Sequence, residues 1–127
     1  MLQDKKMFSF KRLINSFKYA INGIKVAIKR EQNLVIHMFF LVIAIICSII
    51  FKISHLEFLI IILVSGIVIA LELVNTAIEN TVDITNKYSE YAKLAKDSAS
   101  GAVLIAAITS IVVGLIIFLP KFITLFK

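Results

Sequence analysis

Apolar residues along this chain follow two different patterns. From Phe10 to Ile28 they recur at spacings of three and four, as Phe10, Leu13, Ile14, Phe17, Ile21, Ile24 and Ile28, while Lys11, Arg12, Lys18, Lys25 and Lys29 mostly take the other side. That period belongs to an amphipathic helix, and cations opposite an apolar face fit one lying on a membrane surface. The expected surface helix covers residues 8–30, with Asn22 and Gly23 leaving open whether it is one helix or two. Three almost uninterrupted apolar stretches follow, residues 34–51, 56–79 and 99–119. A hydrocarbon core of roughly 30 Å takes about 20 helical residues, so all three are candidates to cross it. The expected fold class is all-α integral membrane: three transmembrane helices plus an N-terminal amphipathic surface helix, in one domain spanning residues 1–127.

The connections support this layout. Lys52 to His55 is too short for anything but an antiparallel hairpin, whereas Asn80 to Lys96 is polar and helical in pattern, with Tyr88 and Tyr91 among Asp83, Lys87, Glu90 and Lys93. It is expected to prolong the second span before the chain turns. Pro120 is expected to mark the end of the third span. The chain has neither an internal repeat nor a low-complexity tract.

Composition sharpens the class. Hydrophobic residues make up 60% of the chain and the mean hydropathy is +0.97, against about 45–50% apolar in soluble domains. Three spans bury little surface internally, and polar groups at membrane depth need protein neighbours, so an oligomer is expected. The net charge of +6 is unevenly spread: eight of fourteen cations precede the first span and Lys87, Lys93 and Lys96 lie in the second connection, leaving Lys52, Lys121 and Lys127 for the other side. Eleven against three puts the N-terminus in the cytoplasm of a multi-pass protein of the cell (plasma) membrane. The cations flank apolar spans without any base-reading motif, so nucleic acid is not an expected partner. Anionic lipid headgroups are. The long charged N-terminal region does not resemble a cleavable signal, and the first span is read as retained. Cys47, the one cysteine, lies inside that span and is expected to serve packing.

The carboxylates indicate chemistry. Asp4 and Glu57 sit in exposed positions, while Glu31, Glu72, Glu79, Asp83, Glu90 and Asp97 all fall at or near the cytoplasmic side. At 100° per residue, Glu72, Asn75, Glu79 and Asp83 project within a sector of about 80°, forming one polar stripe. Glu72 lies about 24 Å along its span, just beneath the inner interface, where ionised groups are rare unless they line a cavity or site. Two carboxylates flanking an amide suit Mg²⁺, a hard ion that takes oxygen ligands together with nucleotide phosphates, and Glu31 can complete the set. Glu72, the deepest acid, suits a base that accepts a hydroxyl proton. Lys96 and Asp97 open the third span with Ser100 one turn on, and a lysine there can neutralise phosphate oxygens. Polar packing between helices is the bland alternative for the stripe, and interfacial anchoring that for Lys96. Gly23, Gly66, Gly101 and Gly114 are too scattered for a phosphate loop or a kinase glycine loop. His37 and His55 are not at metal-ligand spacing. Ser110 and Gly114 form a small-residue pair suited to helix packing.

The run Glu72, Leu73, Val74, Asn75, Thr76, Ala77, Ile78, Glu79, followed by Asp83, by Ala95, Lys96 and Asp97, and by Ser100 to Ile105, closely resembles the prokaryotic membrane diacylglycerol kinase family, including its undecaprenol kinase branch. The resemblance covers about residues 8 to 119. It implies a homotrimer with active sites shared between neighbouring chains, transferring the γ-phosphate of ATP, with Mg²⁺, to a membrane lipid alcohol. By the same resemblance Glu72 is the general base, Glu31 and Glu79 bind the metal, and Asn75, Lys96 and Asp97 position nucleotide and catalytic groups. Arg12 and Tyr19 match surface-helix positions near ATP, Arg12, Glu72 and Ser100 match lipid-substrate positions, and Lys87, Tyr88 and Ser89 fall where the family's second loop approaches the nucleotide across a one-residue gap. The sequence departs from some relatives at Leu94, where they carry a basic residue, and in having no tryptophan. Its Ile-, Lys- and Asn-rich usage fits a low-GC Gram-positive source, which favours undecaprenol as substrate over diacylglycerol. Two other classes compete. A proton-coupled exporter needs an acid near the midplane, which these acids are not; a structural oligomer leaves Lys96 and Asp97 without a purpose.

Overall fold

The computed structural model describes residues 8–127, so Asp4, Lys5 and Lys6 lie outside the described residues. It is all-helical: α1 covers Phe10–Arg30, α2 Gln32–Ile50, α3 His55–Asp83 and α4 Glu90–Leu125. α1 runs unbroken through Asn22 and Gly23, which resolves the open question in favour of one helix. Its apolar side remains exposed at Phe10, Phe17 and Ile21, while Ala27 near its C-terminal end is buried.

Glu31 alone separates α1 from α2. Its extended backbone, φ −106 and ψ 106, closes α1 through a bond from its N–H to the Ala27 carbonyl and begins α2. The next connection is as tight as expected. Lys52 takes a left-handed φ of 50, and Ser54 caps α3 in a reciprocal box with Glu57: the Ser54 hydroxyl accepts from the Glu57 N–H at 3.1 Å and the Ser54 N–H donates to the carboxylate at 2.8 Å. Glu57, expected to be exposed, is half-buried because Lys121 also binds its carboxylate at 3.1 Å.

α2, α3 and α4 are long and apolar enough to cross a membrane. α3 packs most extensively on α4, next on α2, and α1 touches both α2 and α3. Three contacts fix α3 and α4 as antiparallel: Lys96 with Asp83, the Ser110 hydroxyl donating to the Val64 carbonyl at 3.3 Å, and Lys121 with Glu57. The core is thin. Leu34, Ile61, Val68, Val103 and Ile117 are buried, whereas most large apolar side chains of the spans are not. Such a surface has its place against hydrocarbon or other chains, and this is a multi-pass membrane protein.

The helices outrun the apolar stretches. At 1.5 Å per residue, the 29 residues of α3 and 36 of α4 extend about 43 Å and 54 Å. The second connection is helical at both ends, as its pattern suggested, with the turn at residues 84–89, where Asn86 adopts φ 48. α4 also continues through Pro120 to Leu125. Proline removes one backbone donor and crowds the preceding turn; here Thr124 donates to the Pro120 carbonyl at 2.8 Å and Lys121 is tied to Glu57, so the last turn is held from both sides. Ser110 packs on α3, but a side chain at Gly114 would meet open space, so packing within this chain does not require that glycine.

Candidate functional site

The polar stripe of α3 is buried where it is deepest. Glu72 is 2% exposed and Asn75 6%, both flanked by apolar α3 positions such as Val68. Helical spacing accounts for their bonds. Asn75 Nδ2 donates to Glu79 Oε1 at 3.2 Å and the Thr76 hydroxyl donates to the Glu72 carbonyl at 3.0 Å, each a four-residue contact along one face. Asn75 Oδ1 is buried without a hydrogen-bond partner. A buried amide oxygen left unpaired is rare and marks a place where a further donor belongs.

α2 supplies the opposite wall. Asn33 and His37 lie near the Glu72 carboxylate, as do Glu31 and Glu79. Glu31 makes no capping bond to α2, so its carboxylate is left for other partners at the one non-helical residue between α1 and α2. His37 is thus a neighbour of Glu72 as well as an interfacial residue. Among the described residues no three acidic, histidine or cysteine side chains gather as a metal cage. Mg²⁺ does not need one: it typically takes one or two carboxylates and completes its shell with phosphates and water. Glu31 and one free oxygen of Glu79 fit that demand.

A second group assembles where α3 ends and α4 begins. A polar hollow of about 560 Å³ is lined by Asp83, Lys87, Tyr88, Ser89, Lys96 and Asp97 together with Asn86 and Lys93. The turn thus brings Lys87, Tyr88 and Ser89 to the same place as Lys96 and Asp97. Lys96 Nζ donates to Asp83 Oδ1 at 2.9 Å, and the looser Lys93–Asp97 pair, 3.8 Å apart, lies within α4. Lys96 precedes the apolar stretch of α4, and the bond from Asp83 followed by its charge holds the ammonium above the ordinary lysine range. Ser100 is exposed one turn further along α4.

Arg12 and Tyr19 stay apart from both groups. They are exposed on α1, Tyr19 at 74%, and no hydrogen bond or ion pair among the described residues joins them to Glu72 or Lys96. The Ser54, Glu57 and Lys121 contacts lie at the opposite end of α3. The capping box was visible as Ser54-x-x-Glu57; the lysine, 64 residues on, was not.

The sequence profile described as Prokaryotic diacylglycerol kinase matches residues 18–118, and thus takes in Glu31, the α3 stripe, the polar hollow and the start of α4. The chain belongs to the prokaryotic diacylglycerol kinase family. It is 44% identical over 111 residues to the undecaprenol kinase of Bacillus subtilis (strain 168), covering 87% of this chain and 90% of that one. It is 40% identical over 115 residues to a diacylglycerol kinase of Synechocystis sp., covering 89% of this chain and 66% of that one. A third relative, the diacylglycerol kinase of Haemophilus influenzae, is 40% identical over 110 residues, covering 84% of this chain and 92% of that one. Membership makes this chain a membrane-embedded lipid kinase with ATP as phosphoryl donor. The exporter and assembly-only readings fall with it. Arg12 precedes the matched segment and Tyr19 falls just inside it.

Proposed function

We propose that the chain, acting as one kinase domain, transfers the γ-phosphoryl group of MgATP to the primary hydroxyl of undecaprenol at the cytoplasmic face of the cell membrane, giving undecaprenyl phosphate. The observation that carries the chemistry is the 2% exposed carboxylate of Glu72 at the inner end of a span, flanked by Asn75 and Glu79 on its own helix and by Glu31 across the α1–α2 break. A membrane alcohol reaches that depth laterally, while a nucleotide reaches it only from the aqueous side. The alignment with the undecaprenol kinase of Bacillus subtilis, which spans most of both chains, supports the choice of lipid; the diacylglycerol kinases among the relatives support the alternative substrate.

In this mechanism the lipid hydroxyl oxygen attacks the γ-phosphorus as the bond to the ADP oxygen breaks, and Glu72 accepts the hydroxyl proton. Lys96 offsets charge on the phosphate oxygens, Asp97 and the 87–89 turn hold the nucleotide, and Asn75 orients Glu79. Glu31 and Glu79 hold Mg²⁺, which supplies further neutralisation of phosphate charge. Arg12 and Tyr19, exposed on α1, act together with Ser100 in sites shared between the chains of a homotrimer. The test is phosphate transfer from ATP by protein in bilayers offered undecaprenol and diacylglycerol side by side, with and without Mg²⁺. Preferential labelling of undecaprenol is expected; preferential labelling of diacylglycerol overturns the substrate choice.

A further inference from the structure

Asp83 is the one member of the acidic stripe without a task in this mechanism, yet it makes the shorter of the two ion pairs at the polar hollow. Its carboxylate binds Lys96 Nζ at 2.9 Å across the gap between α3 and α4, 13 residues apart in sequence. The helix register shows what this pairing does to Lys96. Ser110 stands opposite Val64. Fourteen residues back along α4 and fourteen forward along α3 bring the Lys96 backbone about level with Ile78 and Glu79. Asp83 lies four residues, about 6 Å, beyond Glu79 and away from Glu72. The ammonium is therefore held on the far side of the position where the phosphates meet Glu79, while its flexible four-carbon stem can swing back by that one turn. An ammonium paired with a carboxylate must give up or share that partner to meet a phosphate.

We infer that Asp83 is the resting partner of Lys96 and competes with the nucleotide phosphates for its ammonium, so that it weakens nucleotide binding and sets how readily Lys96 is released. The inference rests on the reading of Lys96 as a phosphate-neutralising residue. Asp83 and Lys96 are both substantially solvated, with side chains 64% and 37% exposed. The competition is correspondingly modest, because exposed pairs of this kind shift equilibria by a factor of about two to five.

The test is the dissociation constant of a non-hydrolysable MgATP analogue, measured for the full chain in bilayers as wild type, Asp83→Asn, Asp83→Glu, Lys96→Met and the Asp83→Asn/Lys96→Met double variant. Asp83→Asn is expected to tighten binding about two- to fivefold, with Asp83→Glu restoring the wild-type value. In the Lys96→Met background Asp83→Asn should change binding by less than about 1.5-fold, since the residue it competes through is gone. Weaker or unchanged binding by Asp83→Asn, where Lys96→Met does weaken it, overturns the inference and leaves the role of Lys96 intact. Wild-type binding by Lys96→Met overturns that role first and the competition with it. Equal tightening in both backgrounds reduces Asp83 to a through-space charge and also overturns the inference.

Discussion

Replacing Glu72 by glutamine isolates proton acceptance from everything else this residue does. The amide has the size and shape of the carboxylate and leaves the neighbouring Thr76 bond intact because that bond uses the backbone carbonyl. What disappears is a basic oxygen that can take up the lipid proton. General base catalysis contributes about 10²–10⁴-fold, so kcat should fall by that factor, or about 3–5 kcal/mol of barrier. Nucleotide affinity should hardly move. Asp83 lies eleven residues further along α3, about 16 Å from Glu72, and the hollow proposed to hold the nucleotide lies at that end. The KM for MgATP is therefore expected to stay within about twofold, since Glu72 acts on the lipid hydroxyl and the nucleotide's proposed ligands are other residues.

Stability should not suffer either. A carboxylate that is 2% exposed costs more to bury than a neutral amide of the same shape. The expected thermal midpoint is unchanged or raised. The assay is initial-rate transfer of labelled γ-phosphate to undecaprenol over a range of MgATP concentrations, with thermal unfolding on the same preparation. Glu72→Gln activity within tenfold of wild type, from protein with an unchanged midpoint, would refute Glu72 as the base. A large rise in KM at constant kcat would place it at the nucleotide instead.

Glu79→Gln should raise the Mg²⁺ concentration for half-maximal activity at least tenfold, measured by titrating Mg²⁺ at fixed ATP, because one of the two proposed carboxylate ligands is lost; an unshifted titration removes Glu79 from the proposed metal site. At the other end of α3, Lys121→Met should lower the thermal midpoint in micelles slightly, since it removes the 3.1 Å contact to Glu57 that ties the two helix ends. Transfer activity should be unaffected there, and any activity loss without destabilisation contradicts the distance of this pair from the site.

The three spans and the surface helix were legible because bilayer thickness and helical period both leave direct marks on residue type. Helix ends were less so. Hydropathy reports where a segment leaves hydrocarbon, and α3 and α4 remain helical beyond that point through Asp83 and from Glu90. Pro120 is a breaker by its own chemistry, yet the Thr124 and Lys121 contacts carry the helix past it, and a tie from Lys121 to a residue 64 positions away has no local signature. The site divides along the same line. Glu72, Asn75 and Glu79 recur at helical spacing, so their shared face and the Asn75–Glu79 bond follow from the sequence pattern. The Asp83–Lys96 pair depends on how residues 84–89 turn, and the proximity of Glu31 and His37 to Glu72 depends on how α2 meets α3.

The same division explains why the candidate site is incomplete in one chain. Residues brought together by helical period or by short connections meet here: the α3 stripe, Glu31 beside it, and the hollow around Lys96. Arg12 and Tyr19 lie on the surface helix, joined to neither group, and remain exposed. A surface helix with Phe10 and Phe17 uncovered, and a buried Asn75 oxygen without a donor, leave two unmet requirements: apolar surface to cover and a polar contact to complete. Hydrocarbon meets only the first, because it offers no hydrogen bond. In the proposed oligomer a neighbouring copy would cover the first and carry the surface-helix residues to the acid stripe, while the enclosed Asn75 oxygen is a place for a bound water or ligand donor. The oligomer proposed for this kinase therefore rests on the uncovered surface helix and on bringing Arg12 and Tyr19 to the acid stripe.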